Sequence, residues 1–254
     1  MLKTISLTSL VFVAAFGTAN AANCKDVPTF DQLQTALKSA QQTQNGGFSL
    51  NMWGTIVNRD GEVCAVAKTG TNVGDQWPGS RVISAQKANT ANAFSLPDLA
   101  LSTANLYSAV QPGGSLFGLQ ESNPVNTAVA YAGVAAKFGS AKDPMVGRRI
   151  GGINVFGGGL ALYNNAGTLV GAIGVSGDSS CADHNIAWRT RHLLTMDHAK
   201  AGVAGDLKDN IIFDIDSSTG KSASGWGHPA CGPNSASANT DVLTATGTAA
   251  AHTD

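Results

Sequence analysis

Phe48-Ser49-Leu50-Asn51-Met52-Trp53-Gly54-Thr55-Ile56-Val57, the turn Arg59-Asp60-Gly61-Glu62 and the return Val63-Cys64-Ala65-Val66-Ala67-Lys68 decide the fold. Leu50, Met52 and Ile56 fall on one face of an extended chain, because strand side chains alternate between faces. Asp60-Gly61 suits the backbone of a tight hairpin, so the two strands pair antiparallel. Upstream, Thr29 and Gln32 form a helix-start signature, followed by Phe30, Leu33, Leu37 and Ala40 at helical spacing until Asn45-Gly46-Gly47. Downstream, a glycine-rich loop from Gly70 to Gly79 leads into a predicted helix over 80–94, and another is predicted over 99–110. A helix is also expected within 125–138. Residues 153–156, 160–163 and 168–175 read as strands, the last two joined by Asn164-Asn165-Ala166-Gly167. A helix is predicted over 182–198. Hairpins in place of βαβ units imply an α+β fold, an antiparallel sheet flanked by helices.

Composition narrows the function classes. The 254 residues carry 16 Lys+Arg against 17 Asp+Glu, and charged residues make up 13%, about half the roughly 25% of ordinary soluble domains. No basic excess exists to neutralise phosphates, so nucleic acid is not an expected partner. A coiled coil would need Glu/Lys-rich heptads, and the only glutamates are Glu62 and Glu121. A hydrophobic fraction of 43% is enough for a core.

Met1-Leu2-Lys3, the apolar run Leu10 to Phe16 and Ala19-Asn20-Ala21 have the order of a signal peptide, so residues 1–21 are expected to be removed. The run is too short to span a bilayer, and no other segment reads as a membrane span. Periplasmic or secreted localisation follows. Four cysteines in such a compartment favour disulfides. Of three connectivities, Cys24–Cys64 with Cys181–Cys231 is favoured, since each ties a terminal segment to the body. One α+β domain is expected over 22–216, followed by a Ser/Gly/Ala-rich, partly disordered tail over 217–254.

Several motifs resemble catalytic ones. Ser84-Ala85-Gln86-Lys87 fits S-x-x-K, with Lys68-Thr69-Gly70 as K-T-G and Tyr163-Asn164-Asn165 as Y-x-N, but K-T-G precedes the serine where penicillin-recognising enzymes place it last. A serine hydrolase using Ser84 and Lys87 is thus an alternative reading. Ser176 in Gly174-Val175-Ser176-Gly177-Asp178 approaches a nucleophile elbow, yet Ser176 or Asp178 as a helix cap explains the same residues. Gly171, Gly174 and Gly177 do not match a phosphate loop; in a strand they mark close packing or ligand approach. His184, His192 and His198 do not form an i, i+4 metal pair, though one alone is able to ligate a haem iron.

Three segments together resemble one family. Residues 82–94 look like its KA-x-TA…F helix, Gly157-Gly158-Gly159-Leu160-Ala161-Leu162 is similar to its GGGLPI loop and strand, and Gly171-Ala172-Ile173-Gly174-Val175-Ser176-Gly177 with Asp183 is close to its GAIGVSG…D signature. This is the GlcG/HbpS-like haem-binding family, which includes the C-terminal domain of PduO-type proteins. The resemblance implies a profilin- or PAS-like α+β sandwich, a homo-oligomer, and binding of haem or, second, of a corrinoid. In this reading Gly157, Gly158 and Gly159 allow a flat ligand near the backbone, Lys87 meets a propionate, and Trp53, Phe94 and Phe156 supply apolar walls. Asp183 and His184 complete the site, His184 as candidate iron ligand. No catalytic residue is assigned. A non-catalytic accessory protein without cofactor, working through 111–151, is the other alternative.

Overall fold

The structure is a computed structural model and describes residues 24–248. The expected signal peptide, residues 1–21, lies outside these, as do residues 249–254. Helix α1 (Phe30–Gln41) opens with the expected capping box, in which the Thr29 hydroxyl and the Gln32 side chain each accept the other's backbone N–H. Strands β1 (Trp53–Asn58) and β2 (Val63–Lys68) form the expected hairpin. A second hairpin joins β3 (Gly159–Tyr163) to β4 (Leu169–Ser176). Antiparallel pairing of β1 with β4 completes one sheet of order β2-β1-β4-β3. The α+β class with a fully antiparallel sheet is therefore present.

Helices cover both faces of the sheet. Helix α2 (Ser80–Phe94) lies on one, where Ala85, Ala88 and Ala91 pack against Trp53, Val57 and Ala172. A Cβ at Gly174 would overlap the α2 backbone at Ser84 and Ala88, so this glycine sets how closely the helix approaches. On the other face, α1 and α4 (Ser180–Leu193) bury Leu33, Leu37, Ile186 and Trp188 against Ile56, Leu160 and Ile173. Among the described residues no helix is long and apolar enough to cross a membrane.

Both favoured disulfides, Cys24–Cys64 and Cys181–Cys231, are present. Elsewhere the local reading and the structure differ. Residues 99–110 contain turns and only a short 3-10 segment, Ser108–Val110. There Ser102 and Asn105 bond to each other, and Asn105 also reaches the Asn210 carbonyl, an alternative to helix that such side chains offer. Within 125–138 the α-helix is confined to α3 (Thr127–Ala130), followed by a 3-10 segment, Ala135–Lys137. No strand forms over 153–156, and α4 ends at Leu193, five residues before His198. The stretch expected as a tail contains α5 (Ser235–Ala245), which packs Val242 and Leu243 into the α1/α4 core.

Two buried arginine clamps tie irregular segments to this frame. Arg81 of α2 bonds through Nε to Asp143 at 2.9 Å, again through Nη2, and through Nη1 to the Ala130 carbonyl. Asp143 also accepts the N–H groups of Gly139 and Met145. Arg191 of α4 grips Asp209 with two bonds, of 2.7 and 2.8 Å, and the Ala161 carbonyl at 3.1 Å.

Candidate functional site

The end of β4, the start of α4, the Gly157–Gly159 loop and the middle of α2 converge at one place. Lys87 Nζ lies 2.7 Å from Asp183 Oδ2 and donates to the Val175 carbonyl at 3.1 Å. Asp183 Oδ1 accepts the Asp178 N–H at 2.9 Å, and the pair is buried. Burial pulls the Lys87 ammonium down, with Asp183 opposing, and pushes the Asp183 carboxyl up to about 6, with Lys87 opposing. Both directions oppose charge separation, and each partner's charge is what holds the other's in place.

The three glycines pack around this pair. Gly158 has φ +112°, which favours glycine, and a Cβ there would meet the Val175 carbonyl and Asp183. A Cβ at Gly159 would meet the Lys87 carbonyl and Thr103, and one at Gly157 the Ser180 carbonyl and His184. The missing side chains thus let three pieces of the chain's own backbone meet. His184 lies on the inner side of α4 with no exposed surface. Its Nε2 accepts the Ile211 N–H at 3.2 Å and lies 3.3 Å from the Asn210 amide oxygen, while Nδ1 is buried with no partner among the described residues. Burial pulls its pKa down to about 3, so the ring is neutral.

Above the ion pair a cleft of about 260 Å³ opens, with Trp77, Ile83 and Phe156 on its walls and Asp178, Ser180 and Asp183 among its polar groups. Trp77 is 52% and Phe156 49% exposed, so flat apolar faces are available there. Trp53 is buried beneath the sheet-facing core, and Phe94 packs in a separate cluster with Leu106 and Val155. Asp178 does not cap α4. Its carboxylate accepts the N–H groups of Phe48, Leu50 and Ser179, fixing the loop before β1, and the cap is Ser179.

Other motif residues do not form a catalytic group with one another. The Ser84 hydroxyl lies 2.7 Å from Thr55 Oγ1 and donates to the Arg81 carbonyl, whereas the Lys87 ammonium is held by Asp183. His192 pairs with Asp197 at 2.7 Å, on the far end of α4. The linear reading missed Ser180 and His228, whose Oγ and Nε2 are 2.8 Å apart. Only the expected Cys181–Cys231 bridge hinted that residues 48 apart would meet.

A family model described as haem degrading protein HbpS-like matches residues 29–191. The chain belongs to the HbpS-like family. The matched span holds every element from α1 to nearly the end of α4, while α5 and His228 lie beyond it. Similar solved structures include these two. The first is titled a PduOC:heme complex, 24% identical over 66% of this chain and 94% of that chain, with a TM-score of 0.46. The second is Klebsiella pneumoniae protein ORFY, of the DUF336 family model, 23% identical over 66% of this chain and 90% of that chain, with a TM-score of 0.44. No curated protein matches the chain.

A tetrapyrrole needs flat apolar walls, a ligand for its metal and partners for its carboxylates. Trp77, Ile83 and Phe156 fit the first need. At 260 Å³ the cleft is smaller than the roughly 300–1,000 Å³ of enclosed ligand pockets, so it fits one edge of a porphyrin. The donors lining it are hydroxyl and carboxylate oxygens. His184 does not line the cleft, and its Nε2 is engaged by Asn210 and Ile211.

Proposed function

We propose that this HbpS-like chain is an exported protein that binds haem or a related tetrapyrrole, its ligand lying against Trp77 and Phe156 at the amino end of α4. The observation that carries the reading is the exposed aromatic cleft lined by Asp183, the partner of Lys87, and by Phe156, the neighbour of the Gly157–Gly159 loop, next to motifs that define the family resemblance. Apolar contact supplies the affinity, and Lys87 and Asp183 hold the floor together. Two disulfides support an oxidising compartment. Assembly into a homo-oligomer belongs to the same reading, supported by exposed Phe117, Tyr131 and Val134 on the 111–151 segment.

Haemin titration of residues 22–254, read by visible absorption, tests this. A saturable Soret shift near one haem per chain is expected, weakened about tenfold when Trp77→Ala and Phe156→Ala are combined. Losing the shift in His184→Ala names His184 as the metal ligand; keeping it assigns an oxygen donor. No saturable shift with haemin or a corrinoid sinks the proposal. Sedimentation of the same samples reads the assembly.

A further inference from the structure

Ser180 is the first residue of α4 and lines the cleft. Its Oγ lies 2.8 Å from Nε2 of His228, a buried residue from the segment after the family match. The other ring nitrogen, Nδ1, lies 2.7 Å from the Pro229 carbonyl. A carbonyl only accepts, so the ring proton sits on Nδ1 and Nε2 presents a lone pair to Ser180. Ser180 Oγ already accepts the Gly157 N–H at 2.6 Å, which leaves its own proton to donate to Nε2. Nucleophile, base and a third group that orients the base are thus arranged in hydrogen-bonding sequence. Burial pulls His228 down to about 4, so its imidazole is neutral and able to accept at pH 7. The Cys181–Cys231 bridge joins the residue after Ser180 to one three positions past His228, holding the two in place.

We propose that Ser180 and His228 are a nucleophile–base pair that hydrolyses esters of small, neutral, apolar acyl groups in this cleft. Ile83, Phe156 and Trp77 receive the acyl group, and the carboxylates of Asp178 and Asp183 disfavour an anionic one. The Ser180 proton passes to His228 Nε2 as Oγ bonds to the carbonyl carbon. Charge on the carbonyl oxygen develops at the start of α4, where the helix dipole alone offsets it, because the Cys181 and Ala182 N–H groups are already held by Cys231 and Ser179. The ester C–O bond then breaks, and the leaving alcohol takes the proton from His228. Water, deprotonated by the same nitrogen, attacks the acyl-serine, releasing the acid and restoring Ser180.

The proposal shares the cleft with the tetrapyrrole reading but does not rest on it, so the assay uses haem-free protein. Residues 22–254 are treated with a fluorophosphonate and mapped by peptide mass spectrometry, alongside turnover of p-nitrophenyl acetate. The expected adduct is on Ser180, and Ser180→Ala removes both adduct and turnover while circular dichroism stays unchanged. His228→Gln slows labelling about 100-fold or more, the usual share of a general base. No adduct on Ser180 in the folded wild type overturns the proposal, as does turnover that survives Ser180→Ala. Equal labelling of wild type and folded His228→Gln overturns the role of the base. Should His228→Gln fail to fold, His228→Asn replaces it, and labelling as fast as in the wild type overturns the base.

Discussion

The arginine clamps and the lysine pair at the cleft are built from the same ingredients and behave differently. Arg81 and Arg191 each hold an aspartate with two side-chain bonds and spend a further N–H on a carbonyl. A guanidinium stays charged, so these clamps are permanent ion pairs. Lys87 and Asp183 are equally buried but joined by one bond, and burial pushes both toward neutrality. Permanent charge locks irregular segments onto the sheet, whereas a singly bonded pair whose charges burial opposes lies at the cleft that Asp183 lines.

Breaking a clamp should have the largest effect. Asp143→Ala strands the Arg81 guanidinium among Ala130 and Phe138, and Asp209→Ala strands Arg191 beneath Trp188. Removing one partner of a buried pair costs about 3–5 kcal/mol. Urea unfolding should show that loss for each variant, with little relief on changing pH between 5 and 8. A loss below about 1 kcal/mol would mean that the clamps are not the locks described.

Acid should separate the two regions next. His184 and His228 are pulled down to about 3 and about 4. A histidine with a lowered folded pKa contributes stability that is complete above its unfolded value near 6.5 and is lost as pH falls toward the folded value. Asp183 runs the other way: raised to about 6 from 3.8, it favours the folded state below 3.8 and withdraws that contribution as pH rises to 6. Two histidines against one carboxylate leave a net loss of roughly 3 kcal/mol between pH 6.5 and 4. Stability curves across that range check the sign, and flat or rising stability on acidification contradicts it.

Lys87→Met should be milder than either clamp variant. Asp183 already sits at about 6, so raising it past 7 adds at most about 1.4 kcal/mol at pH 7. That addition should vanish as pH falls below 6. Unfolding of the variant at pH 5.5 and pH 7.5 gives the comparison. A cost of clamp size at both pH values would make Lys87–Asp183 a third permanent lock.

Much of the frame was legible because spacing and turn chemistry agreed. The Asp60-Gly61 hairpin, the Thr29–Gln32 box and the α2 and β4 segments all follow from local rules that packing does not overturn. Where side chains bond across the fold, local rules failed. Ser102 and Asn105 trade helix for loop bonds, and the polar α5 is held by Asn239 bonding to Asn185 and Asn210. At the site, Lys87, Asp183 and Gly157 to Gly159 were singled out by motif and do lie together. Trp77, Ser180 and His228 carried no motif, because their meeting depends on a loop and a disulfide that spacing does not reveal.

The smallest effect tests whether the amino end of α4 is special. Thr29 and Ser179 cap α1 and α4 with N–H···O distances of 3.4 Å in both. Long bonds place each alanine variant at the low end of the usual cap loss, about 0.5–1 kcal/mol. In stability the two variants should be indistinguishable. In ligand response they should not be, since Ser179 precedes Ser180 and shares with it the turn that Asp178 anchors. Ser179→Ala is therefore expected to slow Ser180 labelling and weaken haemin binding, while Thr29→Ala leaves both unchanged. Equal responses would show that the cleft draws nothing from the helix end it faces.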